Sequence, residues 1–186
     1  MGKVVLVLGP HGVGKTSLFK YADEHKKMMA FEGYQFPTEG ADLSNPTEFI
    51  LYQEKYEKRI IEHNSIIKES DMNGLVNRSI EESSYYYFFY QNYDEVRKHY
   101  ENMLKRNSKL LCDVLVYLDA PYSVLYDRYS KDDKREMNET VEWYEKEYKR
   151  YDEYWKQYPG VKIIDTTEKT TEEIFRELCE IVKEIN

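Results

Sequence analysis

The sequence predicts an α/β fold, with a five-stranded parallel sheet and helices on both faces. Short apolar runs alternate along the chain with longer segments of helical periodicity, and this alternation is typical of parallel sheets. The first apolar run leads into a glycine-rich loop and then into a helical segment. The chain has 186 residues and no evident linker, internal repeat or low-complexity tract. We therefore expect one domain over residues 1–186.

Five apolar runs are interpreted as the strands of this sheet, because each is short and separated from the next by helical sequence. They cover residues 4–8, about 28–31, about 74–77, 113–118 and 161–164.

Helical periodicity predicts helices over residues 16–26, 46–70, about 138–158 and 171–185. Asn45 before Pro46, with Glu48 three residues after the cap, is a typical start for the second of these. Residues 85–90 are all aromatic, so they cover every side of a helix, and most of them are expected to lie in the core. Three stripes are expected to be buried: Phe49, Tyr52, Tyr56, Ile60 and Ile67; Val141, Tyr144, Tyr148, Tyr151, Trp155 and Tyr158; and Ile174, Leu178, Ile181 and Ile185.

The amino-acid composition argues against some classes of binding partner and some cellular locations. The net charge of −8 argues against a nucleic acid polymer or an anionic membrane as the main partner. Cys112 and Cys179 lie in apolar patterns without metal-ligand spacing, so we expect reduced core residues in a cytoplasmic protein. No signal peptide or long apolar run is present, and neither secretion nor a membrane span is expected.

The glycine-rich loop after the first strand matches the phosphate-binding P-loop, G-x-x-x-x-G-K-[ST], in its usual strand–loop–helix context. Glycines let the backbone turn its N–H groups toward phosphate oxygens, and the helix N-terminus adds a positive dipole end. Lys15 supplies a cation for the β- and γ-phosphates, and Thr16 offers a hydroxyl to Mg²⁺. The predicted phosphate-binding residues are Gly9, Pro10, His11, Gly12, Val13, Gly14, Lys15, Thr16 and Ser17. The motif predicts a site for a nucleoside triphosphate.

Two later segments carry cations suited to phosphoryl chemistry. One is Asn77-Arg78-Ser79, after the third strand, and the other is a segment over about 128–138. On a helix, Arg128, Lys131 and Arg135 would share one face and could close over a triphosphate. The alternative is an ordinary solvated helix face in a chain rich in charged residues.

Taken in order along the chain, these features resemble the deoxynucleoside kinase family, within the P-loop nucleoside and nucleotide kinases that include thymidylate kinase. The resemblance covers most of the chain and implies a P-loop NTPase fold with a short lid at about 128–138. Besides the P-loop, it rests on Phe49-Ile50-Leu51-Tyr52-Gln53 with Arg59, on Arg78-Ser79, on Tyr117-Leu118-Asp119-Ala120-Pro121, on Arg128 to Arg135, on Tyr151-Asp152-Glu153-Tyr154-Trp155 and on Val161-Lys162-Ile163-Ile164-Asp165.

The resemblance implies roles for residues on the acceptor side. Glu32 corresponds to the base that draws the proton from the substrate hydroxyl, with Glu39 as a nearby rival. Gln53 would hydrogen-bond the nucleobase, in a segment with Phe49 and Arg59. Arg78, Arg128 and Arg135 would balance the charge of the transition state. Asp119 is a secondary candidate for Mg²⁺, and His11 is expected to pack or to contact substrate.

Two positions depart from the family pattern. Asn77 replaces the acidic residue before Arg-Ser, and Ser83 stands where an acidic base-reading residue is expected. The lid also has fewer arginines than usual. These differences leave the acceptor and the level of activity open.

The sequence therefore predicts Mg²⁺-dependent phosphoryl transfer from ATP to a nucleoside-type acceptor. The alternatives are a nucleoside monophosphate kinase similar to thymidylate kinase, a regulatory protein that binds ATP or GTP, and a kinase of a non-nucleoside small molecule. No Asn-Lys-x-Asp segment supports guanine recognition. The resemblance also implies a homodimer through the helix over 46–70, although no residue pattern requires one.

Overall fold

The sheet has five strands in the order β2-β3-β1-β4-β5. The computed structural model describes residues 1–32, 42, 45–89, 94–131 and 141–185. The pairs β1–β3, β2–β3 and β4–β5 are parallel. The five-stranded parallel sheet is confirmed, and each predicted strand is found within one or two residues of its expected position. The strands are β1 Val4–Leu8, β2 Met29–Phe31, β3 Gly74–Val76, β4 Val114–Asp119 and β5 Lys162–Asp165.

The described helices alternate with these strands. The predicted helices over 16–26, 46–70 and 171–185 are confirmed, and the one over 138–158 is confirmed from residue 141 onward, since residues 132–140 lie outside the described ranges. The helices are α1 Lys15–Glu24, α2 Pro46–Glu69, α3 Ile80–Phe89, α4 Asp94–Arg106, α5 Tyr122–Ser130, α6 Val141–Lys156 and α7 Thr171–Glu184, with a short 3-10 turn at Ser108–Leu110.

Residue contacts group the chain into two compact units. The first unit comprises Met1–Leu6 and Met28–Asp113, and the second comprises Val7–Lys27 and Val114–Asn186. The single domain expected from the sequence stays a prediction.

The core of the first unit forms where α2, α3 and α4 pack. One cluster of this core comprises the buried residues Phe49, Ile60, Ile80, Val96 and Met103. Burial of these apolar side chains favours the folding of this unit.

The buried face of α2 is more polar than its sequence pattern predicted. Tyr52 and Tyr56 are half-buried, whereas Gln53, Glu57 and Asn64 are buried. Buried polar groups need partners, and these come from distant parts of the chain. Glu57 accepts from Arg106 Nε at 2.7 Å and from Asn107; Asn64 Nδ2 donates to the Leu110 carbonyl at 2.7 Å.

An ion pair with Arg106 and a hydrogen bond from Asn107 keep the buried carboxylate of Glu57 charged. Burial alone would raise the pKa of its carboxyl, but the hydrogen bonds from Arg106 and Asn107 hold that pKa below its ordinary value. The carboxylate therefore fixes the end of α4 against α2.

In the second unit, the predicted stripes of α6 and α7 are only partly correct. Val141, at the start of α6, is 50% exposed, whereas Trp155, near the end of α6, is fully buried. The reason is that α6 contacts β4 near the C-terminal end of the helix, where Asp152 accepts a hydrogen bond from the Tyr117 hydroxyl at 3.0 Å. Half-buried positions are Tyr148, Tyr151 and Tyr158, and the side chain of Tyr144 is not among those that the structure describes. On α7, Phe175 and Val182 are buried beside Ile174 and Leu178, while Ile181 and Ile185 are half-buried.

Both cysteines are free and half-buried. Burial, with Glu81 close by, raises the pKa of the Cys112 thiol well above its ordinary value. Within the described ranges, every helix is too short or too polar to cross a membrane.

The start of α2 is fixed by Asn45. Its side-chain oxygen accepts from the Thr47 amide at 2.9 Å and from the Glu48 amide at 3.4 Å, and Pro46 occupies the first helical position. The predicted cap is confirmed. Glu48 reaches beyond it, to the Asp42 amide at 2.6 Å.

Asn45→Ala is expected to lower the free energy of unfolding by about 1 kcal/mol, because two amides of the first turn lose their acceptor. Chemical denaturation measures the change. Asn45→Asp keeps an acceptor oxygen and is the matched control. If the alanine and aspartate variants were equally stable, the cap would contribute nothing measurable.

Candidate functional site

The loop between β1 and α1 takes its shape from glycines. Gly9, Gly12 and Gly14 have φ angles of 144°, 81° and 100°, in a region that disfavours residues with a side chain. A Cβ on Gly9 would lie 2.7 Å from the Leu118 carbonyl oxygen, and one on Gly12 would lie 2.7 Å from that of Leu125. At Gly9 and Gly12 the backbone therefore passes too close to β4 and α5 for any larger residue.

The N-terminus of α1 has no side-chain cap. Its N-cap is Gly14, and its first turn contains no acidic residue. By contrast, α2 is capped by Asn45 and α7 by Thr170. The first amides of a helix lack intrahelical partners and carry the positive end of the helix dipole. An uncapped N-terminus behind a glycine loop thus fits an anion such as a phosphate.

Lys15 is the first residue of α1, and its ammonium group turns back over the loop. Nζ donates to the Gly9 carbonyl and, at 2.9 Å, to the Pro10 carbonyl. The cation is thus held beside the amides that fit an anion.

Thr16 and Ser17 follow on the first turn of α1 and are exposed. A hydroxyl there suits Mg²⁺, which takes few protein ligands and completes its shell with phosphate oxygens and water. In the described parts of the chain, no group of three or more His, Cys, Asp or Glu residues could hold a metal ion. The exposed Thr16 hydroxyl by itself fits a Mg²⁺ ion that is bound together with a phosphate.

His11, at the exposed side of the loop, approaches α5. Its ring centroid lies 6.0 Å from that of the buried Tyr129. This contact agrees with the expectation that the His11 side chain packs against the protein.

Arg128, in the last turn of α5, supports the segment after β5. Its guanidinium donates to Thr166 Oγ1 at 3.3 Å and to the carbonyls of Thr166 and Thr167, each at 3.0 Å. Lys131 lies beyond the end of α5 and pairs with Asp127 at 2.7 Å. Arg135 lies outside the described residues, so the expected common face of Arg128, Lys131 and Arg135 stays a prediction.

A charged network at the end of β4 was not foreseen from the sequence. Lys156 pairs with Asp119 at 2.8 Å and with Asp152 at 2.9 Å. Burial opposes its charge, but the hydrogen bonds that Lys156 donates to these carboxylates raise its pKa above the ordinary value. Burial and Asp152 also raise the pKa of Tyr117. Asp119, a secondary candidate for Mg²⁺, is thus engaged by a cation.

In the first unit, Arg78 lies between β3 and α3 and is held on two sides. Its Nη1 donates to Glu82, and its guanidinium carbon lies 5.7 Å from the ring centroid of Tyr56. That distance is within the range of a cation–π interaction. Tyr56 in turn contacts Tyr52, with 3.1 Å between the two hydroxyl oxygens. Glu82 was not foreseen as a site residue.

The two positions that depart from the family pattern have structural partners. The backbone N–H of Asn77 donates to the Phe31 carbonyl at 3.3 Å, a bond that does not involve the side chain. Ser83 is buried, and its hydroxyl donates to the Ser79 carbonyl at 3.2 Å.

The other acceptor-side candidates occupy different environments. Glu32 follows β2 and is exposed, while Glu39 lies outside the described residues. Phe49 is a core residue and Gln53 is 7% exposed on the buried face of α2. Arg59 is on the surface, where it pairs with Glu62 at 2.7 Å.

Each arginine of the first unit pairs with a carboxylate. The pairs are Arg59–Glu62, Arg78–Glu82, Arg97–Asp94 and Arg106–Glu57.

Comparison with known proteins identifies the fold. No family model matches the sequence, and no curated protein matches it. Two solved structures of deoxyadenosine kinase from M. mycoides are similar at 16% identity: one with bound dATP (TM-score 0.61, 97% of this chain and 99% of that one) and one with the products dCMP and dCDP (TM-score 0.59, 98% and 100%). The YorR protein of Bacillus subtilis, in complex with phosphorylated GDP, is 15% identical, with a TM-score of 0.58 over 97% of this chain and 95% of that one. These likenesses confirm the predicted α/β fold.

Gly12→Ala is expected to destabilise the protein more than Gly14→Ala. Both alanines would suffer backbone strain of about 1–3 kcal/mol at a positive φ. At Gly12 the new Cβ would also meet the Leu125 carbonyl oxygen at 2.7 Å, whereas nothing described lies within 4 Å of the Gly14 position. This clash should add about 1–3 kcal/mol. Denaturant titration of the two variants measures the difference, and equal losses would show that the close approach does not constrain the loop.

Proposed function

We propose that this chain transfers the γ-phosphoryl group of ATP to a hydroxyl of a nucleoside-type acceptor. The observation that carries the proposal is the uncapped N-terminus of α1 behind a loop of positive-φ glycines, with the Lys15 ammonium turned over it. The similarity in fold to deoxyadenosine kinases solved with dATP and with nucleotide products supports this choice.

The triphosphate is assigned to the loop. Its amides and the N-terminus of α1 hold the phosphate oxygens, and Lys15 neutralises charge on the β- and γ-phosphates. Thr16 would hold Mg²⁺, which supplies further neutralisation of the phosphates when bound.

The acceptor hydroxyl is assigned to Glu32 and Arg78. In the proposed reaction the acceptor oxygen forms a bond to the γ-phosphorus, and the bond from that phosphorus to the bridging oxygen of ADP breaks. The hydroxyl proton passes to Glu32, which is exposed and follows directly after β2. Arg78, with Arg128 and Arg135, balances charge on the transferred group. Gln53, with Phe49 and Arg59 in the same region of sequence, is assigned to the acceptor base.

An uncharged nucleoside fits the first unit better than a nucleoside monophosphate. A monophosphate acceptor brings a second phosphate group, which proteins usually bind with the planar fork of arginine. In the first unit each arginine already pairs with a carboxylate. Arg106 pairs with the buried Glu57 carboxylate, so giving up this arginine would leave a buried charge uncompensated. Arg78, which pairs with the buried Glu82, is already assigned to the transferred phosphoryl group.

The proposed cellular location and type of partner follow from the net charge and from the state of the cysteines. The net charge of −8 and the free cysteines favour a cytoplasmic protein acting on small molecules. A homodimer through α2 stays part of the proposal.

A phosphorylation panel tests the reaction. Purified protein with Mg²⁺ and ATP is given each common deoxynucleoside, ribonucleoside and nucleoside monophosphate, and the products are resolved by mass. We expect a monophosphate formed from a nucleoside. A diphosphate formed from a monophosphate would instead support the alternative similar to thymidylate kinase. Binding of ATP without phosphorylation of any acceptor would contradict a nucleoside kinase and favour a regulatory protein or a different acceptor.

Lys15→Ala is expected to reduce transfer by about 100-fold or more, because the loop loses the cation that faces the transferred phosphate. Its circular dichroism spectrum should stay that of the wild type. Lys20→Ala removes an exposed lysine from the same helix and should keep full turnover. A Lys15→Ala protein with undiminished turnover would contradict the assignment of the loop.

A further inference from the structure

We propose that Glu82 is a positioning residue for the transfer reaction, which it serves by fixing the guanidinium of Arg78. The inference rests on the proposed function, in which Arg78 acts on the transferred phosphoryl group. It adds a residue that the reaction scheme above does not include.

The same sequence motif occurs at the start of two helices. Ser79 and Glu82 stand three residues apart at the start of α3, as Thr170 and Glu173 do at the start of α7. This spacing is typical of a capping box, in which the glutamate reaches back to the N-cap amide.

At α7 the capping box is complete. Thr170 Oγ1 accepts from the Glu173 amide at 3.3 Å, and the Glu173 carboxylate accepts from the Thr170 amide at 2.8 Å. At α3 the first half is present, since Ser79 Oγ accepts from the Glu82 amide at 2.9 Å. The Glu82 carboxylate, however, accepts from Arg78. The same local motif therefore directs its carboxylate to a different partner.

The ion pair between Arg78 and Glu82 is largely shielded from solvent. The Glu82 side chain is 5% exposed and that of Arg78 is 28% exposed. A buried carboxylate is stable only with a cation or several donors, so the pair strongly favours one arrangement. Most surface pairs four residues apart on a helix contribute far less.

Tyr56 completes the positioning of Arg78. Its ring, 5.7 Å from the guanidinium carbon, comes from α2, whereas Glu82 belongs to α3. Two elements thus restrain one planar group. A guanidinium held in this way is pre-organised, and the reaction does not have to order it.

A double-mutant cycle on turnover tests the role. With the nucleoside found by the panel, Glu82→Gln is expected to lower kcat roughly 10- to 100-fold through misplacement of Arg78. The KM for the nucleoside should change less than about threefold, because an interaction made mainly in the transition state is lost. In an Arg78→Ala background, Glu82→Gln should have no further effect on kcat. A further drop in that background would show that Glu82 acts independently of Arg78 and would overturn the proposal.

Glu173→Gln is the matched control. It removes a carboxylate from the same motif at α7, so it should change stability slightly and leave kcat within about twofold. A loss of kcat equal to that of Glu82→Gln would show a general effect on folding and would overturn the positioning role.

Thermal unfolding of the same variants tests the pair without reference to activity. Arg78→Ala leaves Glu82 buried without its cation, so the double variant Arg78→Ala/Glu82→Gln is expected to melt at a higher temperature than Arg78→Ala alone. If the double variant melted at a lower temperature than Arg78→Ala, the proposed interaction between Arg78 and Glu82 would be wrong. If the proposed function is wrong, the wild-type protein will phosphorylate no acceptor in the phosphorylation panel. If only the positioning role of Glu82 is wrong, the wild-type protein will be active and the variants will depart from the pattern given above.

Discussion

The close approach of the loop after β1 to its neighbours is the constraint on which the second unit depends. Gly9 and Gly12 place the backbone within reach of the Leu118 and Leu125 carbonyls, at distances no Cβ could tolerate. Gly14 then begins α1 without a side-chain cap. The N-terminus of α1 thus has no side-chain cap, as an anion site requires, and the position of Lys15 follows from where the helix begins.

Charges elsewhere are held by specific partners. Glu57 ties Arg106 to α2, Glu82 ties Arg78 to α3, and Lys156 joins two carboxylates near the end of β4. Such pairs, when buried, contribute less to stability than to a single arrangement of the groups they join. For phosphoryl transfer this order matters, because catalysis depends on placing cations before the reaction begins.

Features set by local sequence were predictable, and features set by distant partners were not. The P-loop context, β1 and the Asn45 cap follow from residues within one turn of each other. The buried Gln53, Glu57 and Asn64 interrupt an apolar stripe, because two of them find partners 49 and 46 residues away. The pair Arg78–Glu82 is an exception: its members are only four residues apart, but the spacing from Ser79 to Glu82 is also typical of a capping box. The placement of Val141 and Trp155 likewise depends on how α6 meets β4, which periodicity alone does not specify.

Binding calorimetry with ATP and with adenosine, both in the presence of Mg²⁺, tests the central claim most directly. If the loop recognises phosphate through its amides and Lys15, ATP should bind at least about tenfold more tightly than adenosine, a difference of about 1.4 kcal/mol. Lys15→Ala should reduce that difference, and Lys20→Ala should preserve it. Equal affinities of the wild-type protein for ATP and adenosine would contradict the claim that this loop binds a triphosphate.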